Sequence, residues 1–111
     1  QSDLCEVRKM IHKIGFFIEK EKFCMDAGKP YLVMRAVRGE EKTPYEPAEY
    51  EYGRLLPEAG DAAYRSYLLD ERDKKMKLQE TLKMQKTSGA GARVEELTEE
   101  ITGLNWILNK F

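Results

Sequence analysis

The stretch VEELTEEITGLNWILNKF, residues 94–111, decides how the rest of the chain is read. Its apolar residues Val94, Leu97, Ile101, Leu104, Leu108 and Phe111 recur at alternating steps of three and four. That spacing is an a/d heptad seam, which makes a helix seek a partner helix to cover its stripe. Working back from it, the small residues of 88–93 predict a Gly-rich turn long enough to reverse the chain. Before the turn, residues 61–87 predict a second helix, capped by Asp61 and rich in strong helix formers. Tyr64, Leu68, Leu78 and Leu82 fall on one face of it. Its middle, Asp70 to Lys75, is charged all round, so burial should be poor there. The second and third helices are expected to pack antiparallel.

At the other end, residues 2–27 predict a further long helix, with Asp3 and Glu6 in capping-box positions. Its seam is Leu4, Val7, Ile11, Ile14, Ile18 and Met25, with Glu21 as the one polar interruption. Met10, Phe17 and Cys24 form a second line beside it, so the apolar face is wide enough for a bundle. Gly28 and Pro30 supply the stop. Residues 28–60 change character and read as an insert. Within it, Tyr31–Val37 and Tyr50–Leu56 pair as a β-hairpin or form two short helices, since periodicity cannot separate short apolar runs. The expected fold is therefore mainly α: three long helices of coiled-coil or helical-bundle type, with a small irregular or β-hairpin insert at about 31–56, forming one module over 1–111.

Composition suits this reading. The chain is 41% hydrophobic and 35% charged, with net charge −1. An excess of charge over core fits elongated helices, and near-neutrality gives no general pull toward nucleic acid or anionic membrane. Cys5 and Cys24, placed on one helix, would lie roughly 28 Å apart and stay reduced thiols. No apolar run reaches the length of a membrane span.

The sequence carries no catalytic signature. His12 is the only histidine, and no paired His or Cys spacing suits a metal. The glycines near residue 90 follow a helix and precede no Lys, the wrong context for a phosphate loop. No enzyme activity, cofactor or metal is expected. The predicted function is a protein–protein interaction or oligomerisation module, a scaffold segment of a larger intracellular protein of cytoplasm or nucleus. It would act as a homodimer or hetero-oligomer through its helices. The residues expected to face a partner are Ile11, Ile14, Ile18, Leu97, Ile101, Leu104 and Leu108, with Trp106 and Phe111 as aromatic anchors. Thr43, Tyr45, Tyr50 and Tyr52 lie in an acidic, proline-flanked stretch and are candidate phosphorylation sites of a docking loop. Nucleic acid is not expected as a partner. The alternative that keeps it is a basic face on helix 61–87, made by Arg72, Lys74, Lys75, Lys77, Lys83 and Lys86 but blunted by interleaved acids.

Overall fold

A computed structural model describes residues 2–85 and 89–111. Helix α1 spans Ser2–Lys13, strand β1 Phe16–Asp26 and strand β2 Lys29–Arg38. Two short helices follow, α2 at Pro47–Tyr52 and α3 at Leu55–Ala59, then the long helices α4 at Ala62–Met84 and α5 at Ala90–Leu108.

The helix expected over 2–27 is half helix and half strand. Helix α1 carries Asp3 in its first turn and His12 and Lys13 in its last, the charge order that favours a helix. It ends because Gly15 adopts φ +85°, a left-handed conformation that terminates helices and that glycine reaches without strain. Beyond it, Phe16, Phe17 and Ile18 begin β1, which pairs antiparallel with β2 from Phe16↔Arg38 to Asp26↔Lys29. The connection is the two-residue turn Ala27–Gly28, with φ +50° and +79°. Both central residues positive is the signature of a type I′ hairpin, whose twist matches that of the strands. Gly28, expected as a helix stop, is thus a hairpin corner. A bulge at Glu19 shifts the alternation, so Ile18 and Glu21, three apart, are both buried.

The insert also differs from expectation. Tyr31–Val37 is a strand, but its partner is β1; Tyr50–Leu56 is largely helical, in α2 and α3. Of the turn expected at 88–93, Ala90–Arg93 already belong to the first turn of α5, and Ser88 lies outside the described residues. The three-long-helix bundle is therefore replaced by an α/β base carrying a helical hairpin.

Helices α4 and α5 run antiparallel. The side chain of Arg72 meets Asn105, Lys75 meets Glu100, and Gln79 bonds Val94 and Thr98, so residue numbers rise on one helix as they fall on the other. The core lies at the base of this hairpin. Tyr52, Leu56, Tyr64, Leu68, Leu104 and Ile107 form it, with Phe23 and Leu32 of the sheet packed against them. The far half of the hairpin is only two helices thick, and Leu78 and Met84 are exposed there. No described helix is long and apolar enough to cross a membrane.

Candidate functional site

An aromatic cleft forms where α1, the sheet and α4 converge. Asp3 and Leu4 come from the first turn of α1, Phe23 from β1, Tyr31 from β2, and Tyr64 and Tyr67 from α4. It encloses about 280 Å³. The Phe23 ring lies 5.0 Å from Tyr64 and 5.2 Å from Tyr67, and the two tyrosine rings stack at 6.2 Å with 14° between planes. Tyr64 is anchored by its own hydroxyl, which donates to the Tyr52 carbonyl at 2.7 Å. Burial raises its pKa well above the ordinary value, so it stays a neutral donor. Tyr31 is different: almost half of its surface is exposed, at the mouth of the cleft. The site therefore has a packed aromatic floor, an exposed aromatic rim and one carboxylate, Asp3, beside it. Such an arrangement suits a flat ring with a hydrogen-bond donor on its edge.

A buried polar lattice holds the elements around the cleft. Arg8 of α1 is fully buried; it donates to the carbonyls of Tyr50 and Glu51 at 2.8 and 3.0 Å and pairs with Glu21 of β1 at 2.8 Å. Gly53 leaves the room this needs, for a Cβ there would lie 2.8 Å from Glu21 Oε2. Next to it, Arg54 binds Glu49 through two nitrogens, reaches the carbonyls of Thr43 and Pro44, and lies 4.2 Å over the Tyr45 ring. Burial pushes the Glu49 carboxyl up, but the Arg54 hydrogen bonds and charge outweigh it, and the carboxyl ends below its ordinary value. Burial raises the Tyr45 phenol to about 12. The His12 Nδ1 lies 2.9 Å from the Tyr50 hydroxyl, and burial lowers the pKa of the ring. A larger, open cavity of about 630 Å³ flanks His12, but its charged walls, Arg38, Glu40 and Glu41, mix both signs.

The residues expected to face a partner do not form one surface. Ile11 is half-buried on α1, Ile14 is exposed just past its end, and Ile18 is buried in β1. Leu97 and Leu104 are fully buried within the chain, as is Ile107, which the heptad reading omitted. Ile101, Leu108 and Phe111 are half-buried, and Phe111 packs 6.2 Å from Tyr64. Trp106 stands at the surface with Lys110 4.5 Å over its ring. Among the candidate modification sites, Tyr45 and Tyr52 are buried, Tyr50 is tied to His12, and Thr43 is exposed. Of the basic face on α4, Lys74 and Lys75 pair with Glu71 and Glu100, and Arg72 pairs with Asp73. Lys77 and Lys83 are exposed, and Lys86 lies outside the described residues. Cys5 and Cys24 are free, on α1 and β1 respectively, so their separation along one helix no longer applies. No cluster of metal-ligand residues occurs among the described residues. The cleft and the Arg8–Glu21 pair were missed from sequence. Glu21 itself was the available signal, because a carboxylate on an otherwise apolar line needs a buried cation.

Several solved structures share this fold over part of their length. The B. subtilis m1A22 tRNA methyltransferase TrmK matches at TM-score 0.77 and 17% identity, covering 94% of this chain and 47% of that one. Streptococcus pneumoniae Sp1610, described as a putative tRNA (m1A22) methyltransferase in complex with S-adenosyl-L-methionine, matches at 0.72 and 18%, covering 95% and 42%. A Streptococcus agalactiae protein of the NADB-Rossmann superfamily matches at 0.76 and 15%, covering 95% and 43%. The chain thus spans under half the length of each of these structures. Comparison with curated proteins gave no sequence match. The family model for TrmK, tRNA (adenine(22)-N(1))-methyltransferase, matches residues 1–105, and the chain belongs to that family.

Membership overturns the functional expectation from sequence. The family is one of enzymes, so the non-enzymatic scaffold or oligomerisation module falls, and the coiled-coil description falls with it. The expectation that nucleic acid is not a partner falls too, since the family is defined by a tRNA reaction. The heptad seam on α5 is covered by this chain's own α4, so it gave no evidence of a second molecule.

Proposed function

We propose that this chain forms part of an enzyme that methylates N1 of an adenine in tRNA. The observation that carries the reading is the family match across residues 1–105 of 111. The surface supports it. Val7, Met10 and Ile14 make an exposed apolar stripe along and just past α1, and Val33 on β2 is exposed as well. The sheet has only two strands among the described residues, which leaves both outer edges unpaired. An exposed stripe beside an open sheet edge suits a chain that packs against further structure. The methyl donor of the S. pneumoniae relative, S-adenosyl-L-methionine, is the donor this reading implies. The described residues do not fit its cradle. They contain no strand–glycine-rich turn–helix unit of the kind that holds a nucleotide cofactor, and the two strands form a hairpin. On this reading the role of this chain lies with the RNA, and the donor is held elsewhere in the whole protein.

The test is methyl transfer by the whole protein that carries this chain, using isotope-labelled donor and unmodified tRNA. One methyl group per tRNA at adenine 22 is expected, lost when that adenine is replaced by guanine. Incorporation that survives the replacement, or none at all with intact tRNA, overturns the reading. Binding of tRNA should also weaken steeply with added salt, because phosphate contacts release counterions.

A further inference from the structure

Resting on the tRNA reading, we infer that the aromatic cleft between α1, the hairpin end of the sheet and α4 receives one unstacked nucleobase of the substrate RNA. An adenine N1 lies on the pairing edge of the base. An enzyme reaches that edge only when the base leaves the stack or pair, which also unstacks its neighbours in the strand and leaves them to seek another aromatic face. This cleft brings together four aromatic rings: Phe23, Tyr31, Tyr64 and Tyr67.

The parts divide by exposure. Phe23, Tyr64 and Tyr67 pack on one another at 5.0–6.2 Å and fix the floor. Tyr31 presents an exposed ring at the mouth. A base that stacks on Tyr31 exchanges solvent for an aromatic face, a contact every base can make. Asp3, exposed beside it, can only accept hydrogen bonds as a carboxylate, so it favours a base whose edge carries an amino group. The volume, about 280 Å³, admits one base. Two cations sit next in sequence to cleft residues: Lys29 precedes Pro30, and Arg65 follows Tyr64, and both are exposed.

The experiment uses the whole protein and tRNA carrying 2-aminopurine at position 22 or at either neighbouring position. One of the three probes should change fluorescence on binding, and Tyr31→Ala should abolish that change. Affinity for tRNA should fall about tenfold or more, the range of a lost base–aromatic stack. Tyr31→Phe should restore both readouts, because stacking needs the ring and not the hydroxyl. Tyr31 is half exposed, so the melting temperature of Tyr31→Ala should match the parent and exclude misfolding as the cause. The inference is overturned if wild-type protein binds tRNA and Tyr31→Ala keeps both the probe signal and the affinity. It is equally overturned if Tyr31→Phe behaves like Tyr31→Ala. Wild-type protein with no binding or transfer on tRNA would instead remove the tRNA reading, and this inference with it.

Discussion

Replacing Arg8 by Met should cost a large fraction of the chain's stability, and the size of the loss follows from its surroundings. Both side chains of the Arg8–Glu21 pair are fully buried, 2.8 Å apart. Arg8 is also the donor to two carbonyls, those of Tyr50 and Glu51. Arg8→Met keeps the aliphatic stem but leaves a carboxylate unpaired and two acceptors unsatisfied. Breaking a buried pair from one side costs about 3–5 kcal/mol, and the stranded carbonyls add to that. A chain of this size has a total stability on the order of 5–15 kcal/mol. With a urea dependence of about 1–3 kcal/mol per molar, the midpoint should fall by about 2 M. Glu21→Leu alone should cost a similar amount, since it strands the guanidinium. The double variant is the discriminating one. With both charges gone, the desolvation penalty goes too, and only the two carbonyls remain unsatisfied, at about 1–3 kcal/mol each. Its loss should therefore be several kcal/mol smaller than the sum of the singles. Urea unfolding followed by circular dichroism gives all four midpoints. An Arg8→Met midpoint equal to the parent's, or strictly additive losses, would refute the claim that this pair locks α1 to the sheet and α2.

Three further outcomes are expected. Ala27 sits at φ +50° in the hairpin turn, a conformation that asparagine tolerates better than alanine. Ala27→Asn should stabilise the chain by about 0.5–1 kcal/mol in the same urea assay, and a loss would show that the turn is not type I′. His12 titrates below its ordinary value of 6.5 because burial penalises the charged ring. The unfolded chain then binds more protons than the folded one near that pH. Stability is whole above about 6.5 and is lost as pH falls through the lower folded value; His12→Gln should flatten this part of the stability–pH curve measured by thermal melting. Finally, Cys24 is exposed, whereas Cys5 is half-buried and its thiol is pushed up by burial and by the Glu51 hydrogen bond. Ellman's reagent at neutral pH should label one thiol fast and one slowly, with Cys24→Ser removing the fast phase.

The parts of this fold that were legible in sequence are those whose burial follows a local period. On α5, Leu97 and Leu104 are seven residues apart and both fully buried, because their partner α4 lies along the whole helix. Residues 2–27 defeated the same reasoning for a definable cause. The seam Leu4, Val7, Ile11, Ile14, Ile18, Met25 continues in heptad step past Gly15, yet the backbone does not. The bulge at Glu19 places Ile18 and Glu21 three apart on one buried face of a strand, a spacing that also belongs to helices. Two signals stood against the helix, Gly15 before two phenylalanines and Ala27–Gly28 between alternating runs, but each is weak alone. The error then spread to the site. On a helix, Glu21 is a tolerable polar interruption; on a buried strand face it requires Arg8, and that pair holds α1 where Asp3 and Leu4 close the cleft. The four aromatic residues of the cleft come from three elements and share no spacing, so no periodicity could have assembled them before the hairpin was recognised. Function was hidden more deeply still. A surface built to stack a base needs rings and a rim charge, and these look like ordinary core in a sequence until Tyr31 is found exposed.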